Sequence, residues 1–494
     1  MKEFFTKFSF LIFLICSVFI TAYVLFIPPR PGVADQGDFQ RVMIVTGLVE
    51  KKMPDNESEL LYFKYVKPEY IMTPVNPLRF FGIIPTTSMI YPVTAARFLC
   101  RMAGFGVFST EVLAIVYAIM YITALTLCIK WHGSVSIPII FPLTILSLFI
   151  LLDGNYLVWF NSLYGEPMMI TGLVLFLASI LNISRKIQSL KSKDLLFAVI
   201  SAFLFLGSKI QCITALPFVV IIIARVFALK YGTGKAIYPK KALIPIVLLV
   251  FYTLGFFNQV NSTCGIDTRY NSVFYGILND SDDPERDLRM LGLKTDMAVE
   301  AGKHAYLPEN QYEKYAPRSP VTMEEFNQKI SNFKIIWFYL QNPERLVKGM
   351  EYTASQSFQT SSSLGKYKKT DIEEYTYLFE RFTCWSDFRS RYLPKKLWFI
   401  VSFYVIVLAI TICKYFEAKE ISCSLRIELV LFIAAIGIFQ FPMPYLGNGK
   451  ADTAKQLFLF NFTFDILVII LAVFLLQSTA GFIEALRTRL RKTG

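Results

Sequence analysis

Asp35, Asp38 and Arg41 fall within one short stretch, Ala34-Asp35-Gln36-Gly37-Asp38-Phe39-Gln40-Arg41, a few residues past the first apolar run. A carboxylate there can take the proton of an attacking hydroxyl, provided it lies within hydrogen-bond reach. An arginine beside it can hold a phosphate through two parallel hydrogen bonds. The same residues would also serve as a solvated loop with a local Asp–Arg pair. A second group runs from Asp153-Gly154-Asn155-Tyr156 to Phe160-Asn161-Ser162-Leu163-Tyr164-Gly165-Glu166-Pro167. Glu166, with Asn161 and Tyr164, suits an acceptor or sugar hydroxyl. Helix capping is the competing reading, because Glu166-Pro167 fits the first turn of a helix.

Three more groups carry charge or hydrogen-bonding capacity. Gly207-Ser208-Lys209-Ile210-Gln211 interrupts an apolar stretch. A lysine at that depth needs a partner or a water-filled cavity, and a phosphate is one such partner; a lysine snorkelling from a helix end is the alternative. Gly447-Asn448-Gly449-Lys450-Ala451-Asp452-Thr453-Ala454-Lys455-Gln456 places Lys455 just before the last apolar run. It reads as a basic phosphate site or as a polar turn with interfacial anchors, and it lacks the GxxxxGK[ST] pattern of a nucleotide-binding loop. Finally, Tyr270 and Asn271 precede Tyr275-Gly276, a pattern that fits sugar stacking or a strand and turn packing onto the membrane. Two histidines, His132 and His304, exclude a His-rich metal site.

The elements that must position these groups are membrane helices. Of 494 residues 54% are hydrophobic and 18% charged, and the mean hydropathy is +0.47. A helix crosses the hydrocarbon core with roughly 20 apolar residues. Runs near 8–27, 111–129, 134–152, 167–183, 195–209, 212–228, 242–258, 396–413, 427–443 and 457–477 predict about ten spans, with 195–209 and 212–228 forming a broken or re-entrant pair. Lys2 and Lys7 precede the first run, whose length and lack of an A-x-A site predict an uncleaved helix. With the N-terminus inside, every expected inner loop is basic: Lys130; Arg185, Lys186, Lys191 and Lys193; Lys230, Lys235, Lys240 and Lys241; Lys414, Lys419 and Arg426; and the tail from Arg487 to Lys492. The net charge of +13 therefore reads as loop bias, supplemented by contact with anionic membrane lipids, and no nucleic-acid motif argues otherwise.

The expected organisation is an all-α polytopic membrane protein with a small extracytoplasmic α or α+β domain. Residues 1–258 form the transmembrane core, with a first outer loop at 28–110 that holds short interfacial pieces at Phe80–Ile84 and Met89–Leu99. Residues 259–395 form the outer domain, with helical periodicity from Thr322 to Tyr339 carried by Met323, Phe326, Ile330 and Phe333. Residues 396–494 supply the last helices and a basic cytoplasmic tail. Of eight cysteines, Cys16, Cys128, Cys212 and Cys413 read as small hydrophobes, while Cys264 and Cys384 share the outer domain.

This layout resembles the GT-C superfamily of membrane glycosyltransferases, which use polyprenyl-phosphate sugars. The phrases DQGDFQR, FNSLYGEP, RYNSVFYGIL with DDPERDL and LGL, and GNGKADTAKQLFLFN are similar to a bacterial group of surface-glycan hexosyltransferases. The resemblance implies a catalytic carboxylate in the first outer loop, at Asp38 with Asp35 assisting. It further implies donor-phosphate contacts from Arg41, Lys209 and Lys455, beside which the polar groups of Glu166, Asn161, Tyr164, Gln211, Asp452, Tyr270 and Asn271 read as acceptor or sugar contacts. Phe39 stands where some relatives carry a second acid, which leaves a divalent metal as the open cofactor question. The implied partners are a polyprenyl-phosphate sugar donor and a glycan or lipid acceptor at the outer face of the cell membrane. A transporter or flippase of lipid-linked glycans is the rival reading, with a glycan polymerase beside it. A transporter predicts charge deep in several spans and internal symmetry, whereas these spans are poor in ionisable groups apart from Lys209 and show no repeat.

Overall fold

A computed structural model describes residues 2–51, 63–132, 137–231 and 240–493. Part of the first loop, at 52–62, and Lys235 lie outside the described residues. Helix α1 (Lys2–Phe26) leads into a connecting segment and then α2 (Phe39–Thr46). Strands β1 (Leu48–Glu50) and β2 (Glu69–Met72), α3 (Ile90–Met102) and strand β3 (Phe108–Ser109) follow. The three strands pair antiparallel in the order β1-β2-β3, with Val49 opposite Ile71 and Tyr70 opposite Phe108. The first loop thus holds a sheet as well as helices. The described residues of 259–395 carry no strand, so this segment is helical rather than α+β.

The bundle continues with α4 (Thr110–His132), α5 (Ile137–Leu151), α6 (Glu166–Arg185), α7 (Ser192–Leu206), α8 (Leu216–Tyr231) and α9 (Lys240–Tyr270). The second long segment contributes α10 (Pro284–Leu291), α11 (Asn332–Gln341), α12 (Pro343–Ser355) and α13 (Cys384–Tyr392). The chain closes with α14 (Leu397–Glu417), α15 (Ile421–Gln440) and α16 (Phe458–Thr493). Among the described residues eight helices are long and apolar enough to cross a membrane, or nine if the bent pair Ile140–Leu151 and Gly154–Phe160 counts as one span. The chain is a multi-pass, mostly helical membrane protein.

The two expected runs that fall short of this length are α5 and α7, with 15 residues each. At 1.5 Å per residue each is about 22 Å long, short of a hydrocarbon core of about 30 Å. Asp153 ends α5: its side chain accepts from the Asn155 amide at 2.9 Å and starts a new turn bent by 50°. Gly207-Ser208-Lys209 ends α7, followed by a 3-10 turn over Ile210–Ala215. The break expected between the fifth and sixth runs is therefore present. Helix α9 differs from expectation in the other direction, running to Tyr270 and then into a π-turn at Asn271–Ile277. The polar residues after 258 end the apolar run but not the helix.

Hydrogen bonds at the two ends of the bundle show which segments share an end. At one end Arg30 pairs with Glu111 at 2.6 Å, Asn161 donates to the Pro31 carbonyl at 2.7 Å, and Lys209 meets Glu166. At the other, Lys230 donates to the Leu190 carbonyl at 2.9 Å and Arg426 to Ser184 at 3.2 Å. Helix α6 is the enclosed centre, almost wholly buried along its length. Some ionisable groups lie well inside spans as paired charges. Arg225 of α8 pairs with Glu428 of α15, and Asp465 of α16 pairs with Arg389 of α13.

Candidate functional site

The segment between α1 and α2 is held from three sides. The Gly32 and Ala34 amides donate to the Lys366 and Gly365 carbonyls at 2.8 and 3.0 Å. The Tyr164 hydroxyl donates to the Ala34 carbonyl and accepts from the Gln36 amide, both at 3.1 Å. Asn161 completes the grip, its Oδ1 accepting from Thr110 at 2.6 Å while its amide holds Pro31. Asp35 folds back into this turn. Its Oδ1 accepts the amides of Gly37, Asp38 and Phe39 at 2.8, 2.9 and 3.1 Å, satisfying donors that start α2. Gly37 sits at φ +100, a region glycine enters without a Cβ penalty.

With the cap supplied by Asp35, the Asp38 carboxylate is left to face elsewhere. One oxygen pairs with Arg41, one turn along α2, and the other with Lys455. Lys455 also lies over the Tyr164 ring, 4.4 Å from its centroid. Burial raises the Asp38 pKa, but Lys455, Arg41 and the more distant Lys209 outweigh it and hold the carboxyl well below the usual range. Burial raises the Asp35 pKa past what its three amide bonds recover. Lys209 projects from the break between α7 and α8, and its Nζ lies 2.5 Å from Glu166 Oε1 at the start of α6. Glu166 is fully buried, and its Oε2 has no hydrogen-bond partner among the described residues. The break itself is fixed by the first loop: the Ser88 amide donates to the Gly207 carbonyl at 2.8 Å, and Thr87 Oγ1 to the Ser208 carbonyl at 3.3 Å.

One end of the bundle thus gathers Asp38, Arg41, Lys455, Lys209 and Glu166 from four distant parts of the chain. Asp452 reaches the group through Gln36 Nε2 at 3.3 Å. The remaining expected residues have other work. Tyr270 is buried against Phe274 and Phe326. Asn271 donates to Asn448 at 2.8 Å and accepts from the Ala305 amide at 2.6 Å. Gln211 donates to Gln440 at 3.1 Å. Cys264 and Cys384 are both free thiols, the former 3.4 Å from Arg41 Nη1.

Two residues at the site gave no sequence signal. Gln36 bridges Tyr164 and Asp452, a role that depends on the fold alone. Tyr306 lies near enough that, after burial, the charges of Asp452, Asp267 and Asp38 raise its pKa. The donor set does not fit a divalent cation. Both oxygens of Asp38 face cations, Glu166 is taken by Lys209, and no group of three or more His, Cys, Asp or Glu among the described residues is arranged for a metal. What the arrangement suits is an anion held by Arg41, Lys455 and Lys209, beside a carboxylate able to accept a proton.

A family model described as YfdI N-terminal transmembrane domain matches residues 1–491. No curated protein and no solved structure matches.

Proposed function

The chain belongs to the YfdI N-terminal transmembrane domain family, and from that premise we propose that it is a membrane glycosyltransferase of GT-C type. It moves a hexose from a polyprenyl-phosphate donor to a glycan or lipid-linked acceptor outside the cytoplasm. The observation that carries this reading is the Asp38 carboxylate, held between Arg41 and Lys455 with Lys209 in electrostatic reach.

Asp38 accepts the proton of the acceptor hydroxyl. The hydroxyl oxygen forms a bond to the anomeric carbon as the bond from that carbon to the phosphate oxygen breaks, so the configuration inverts. The electron pair leaves with the polyprenyl phosphate, whose growing charge Arg41, Lys455 and Lys209 offset. Asp35 shapes the turn rather than moving a proton, since its Oδ1 holds three amides. Glu166 orients Lys209 and leaves one oxygen for an acceptor or sugar hydroxyl. Tyr164 and Asn161 hold the Asp38 segment in place, and Asp452 joins it through Gln36. No step runs through a metal.

The test is Asp38→Asn, which keeps the shape and removes the base. Transfer in isolated membranes is expected to fall by about 100-fold or more, the scale of general-base catalysis, with normal expression. Transfer near the wild-type rate at normal expression overturns the assignment.

A further inference from the structure

Helix α11 carries an apolar stripe that the protein itself does not cover. Ile335, Phe338 and Tyr339 point inward and are buried, whereas Phe333, Ile336, Trp337 and Leu340 are exposed, Phe333 by 71% and Leu340 by 62%. These four fall at three- and four-residue steps along one helix face. Exposed Val347 follows on α12. Phe333 and Trp337 lie near parallel, with ring centroids 6.2 Å apart. A soluble domain rarely shows a contiguous surface of this kind without an occupant.

The neighbours of the α11–α12 hairpin locate that occupant. Inward-facing Tyr339 meets Tyr445 at 5.8 Å between centroids, and Tyr445 is five residues past the end of helix α15. On α12, Gly349 lies flat against the Tyr445 ring, where an added Cβ would come within 2.1 Å. Glu351 accepts from the Leu397 amide at 3.2 Å, where the α14 span begins. The hairpin therefore sits on the ends of two membrane spans. The lipid-facing surface of α14 starts at the same level, with Trp398, Val401 and Val405 exposed. Exposed Lys329 and Lys348 flank the stripe and complement anionic headgroups.

We infer that the Phe333–Leu340 face lies in the headgroup–acyl boundary of the bilayer, as an anchor for the hairpin. Trp and Phe with flanking lysines have the amphipathic character that this boundary selects. The anchor reaches the site mechanically. Tyr352 of α12 donates to the Lys450 carbonyl at 3.0 Å, in the loop that carries Lys455. This inference rests on the multi-pass architecture alone and stands whether or not the chain transfers sugar.

The full chain is reconstituted into phosphatidylcholine–phosphatidylglycerol vesicles containing a phospholipid with a diazirine near its acyl carbonyl. Illumination and mass spectrometry then locate the adducts. Adducts are expected on 332–341 as well as on 397–405, which serves as the internal reference. In the Trp337→Glu, Leu340→Glu protein those on 332–341 are expected to fall severalfold while the reference persists. Labelling of 397–405 without 332–341 overturns the inference, as does chemical cross-linking of 332–341 to a second copy of the chain. Unchanged labelling in the double variant also overturns it.

Discussion

A carboxylate held between an arginine and a lysine is a weak base, and Asp38 is so held. On the proposed reading a donor phosphate draws Arg41 and Lys455 toward itself and so raises the basicity of Asp38 when the acceptor is present. Because its pKa stands below the ordinary carboxylate range, the free protein should show no acid limb from Asp38 in kcat/KM down to about pH 4. Its stabilising pairs hold above the unfolded carboxylate pKa and are lost only as pH falls through the depressed folded value. Lys455→Gln removes the strongest opposing charge. An acid limb should then enter the kcat/KM profile at higher pH, and the rate should fall by about 100-fold, as when one charge-stabilising group is lost. A variant profile identical to the wild type would separate Lys455 from Asp38. Lys366 gives a contrasting case. Burial pushes its ammonium down to about 7, and its Nζ donates to Ser362 Oγ at 2.8 Å and to the Leu364 carbonyl at 2.7 Å. The unfolded group titrates near 10.4, so between about pH 7 and 10.4 the unfolded chain binds more protons and stability rises with pH. The melting temperature should climb from pH 7 to 9 in the wild type and climb less in Lys366→Met.

At the scale of elements, the ion pair of Arg389 and Asp465 fastens α13 to α16. Both side chains are fully buried, and Tyr156 donates to Asp465 at 2.6 Å while accepting from Arg389 at 2.8 Å. Removing one partner strands a charge, so Asp465→Ala should cost about 3–5 kcal/mol, whereas Asp465→Leu combined with Arg389→Met should recover most of it. Thermal melting in detergent reads the difference, and equal losses in the two variants would remove the pair from the account. None of this network was legible beforehand, because Arg389 and Asp465 lie 76 positions apart and only the fold brings them together. Apolar runs, by contrast, located nearly every long helix. Their ends were less legible, since hydropathy detects where burial in lipid stops and not where backbone hydrogen bonding stops. Helix α9 therefore outran its apolar core, while Asp153 and Gly207 cut α5 and α7 short. The strands are only two to four residues long, too short for an alternating pattern. The charged groups near Asp38 could be found by type and setting. That Lys209 meets Glu166 and not Asp38 directly depends on distances that sequence does not carry.

For the molecule as a whole, the question is which way it stands in the membrane. Helices α5 and α7 are short, yet each carries the chain from one end of the bundle to the other. Asp153 after α5 accepts from the Ser386 amide at 2.9 Å, and Gly207 after α7 accepts from Ser88. Both thus return the chain to the end that holds Asp38. The opposite end carries Arg185, Lys186, Lys191, Lys193, Lys230, Lys241, Lys414, Lys419 and Arg426 in and beside short turns. Lysine and arginine in short loops next to spans set orientation toward the cytoplasm, so the Asp38 end should face outward. The proposed chemistry depends on that sign. A polyprenyl-phosphate sugar presented at the outer leaflet meets Asp38 only in this orientation. Alkaline phosphatase, active only outside the cytoplasm, should be active when fused after Gln311 and inactive when fused after Ser189. The reverse pattern would turn the site toward the cytoplasm and remove the outer-leaflet donor from the reading, while leaving the Asp38 cluster itself intact.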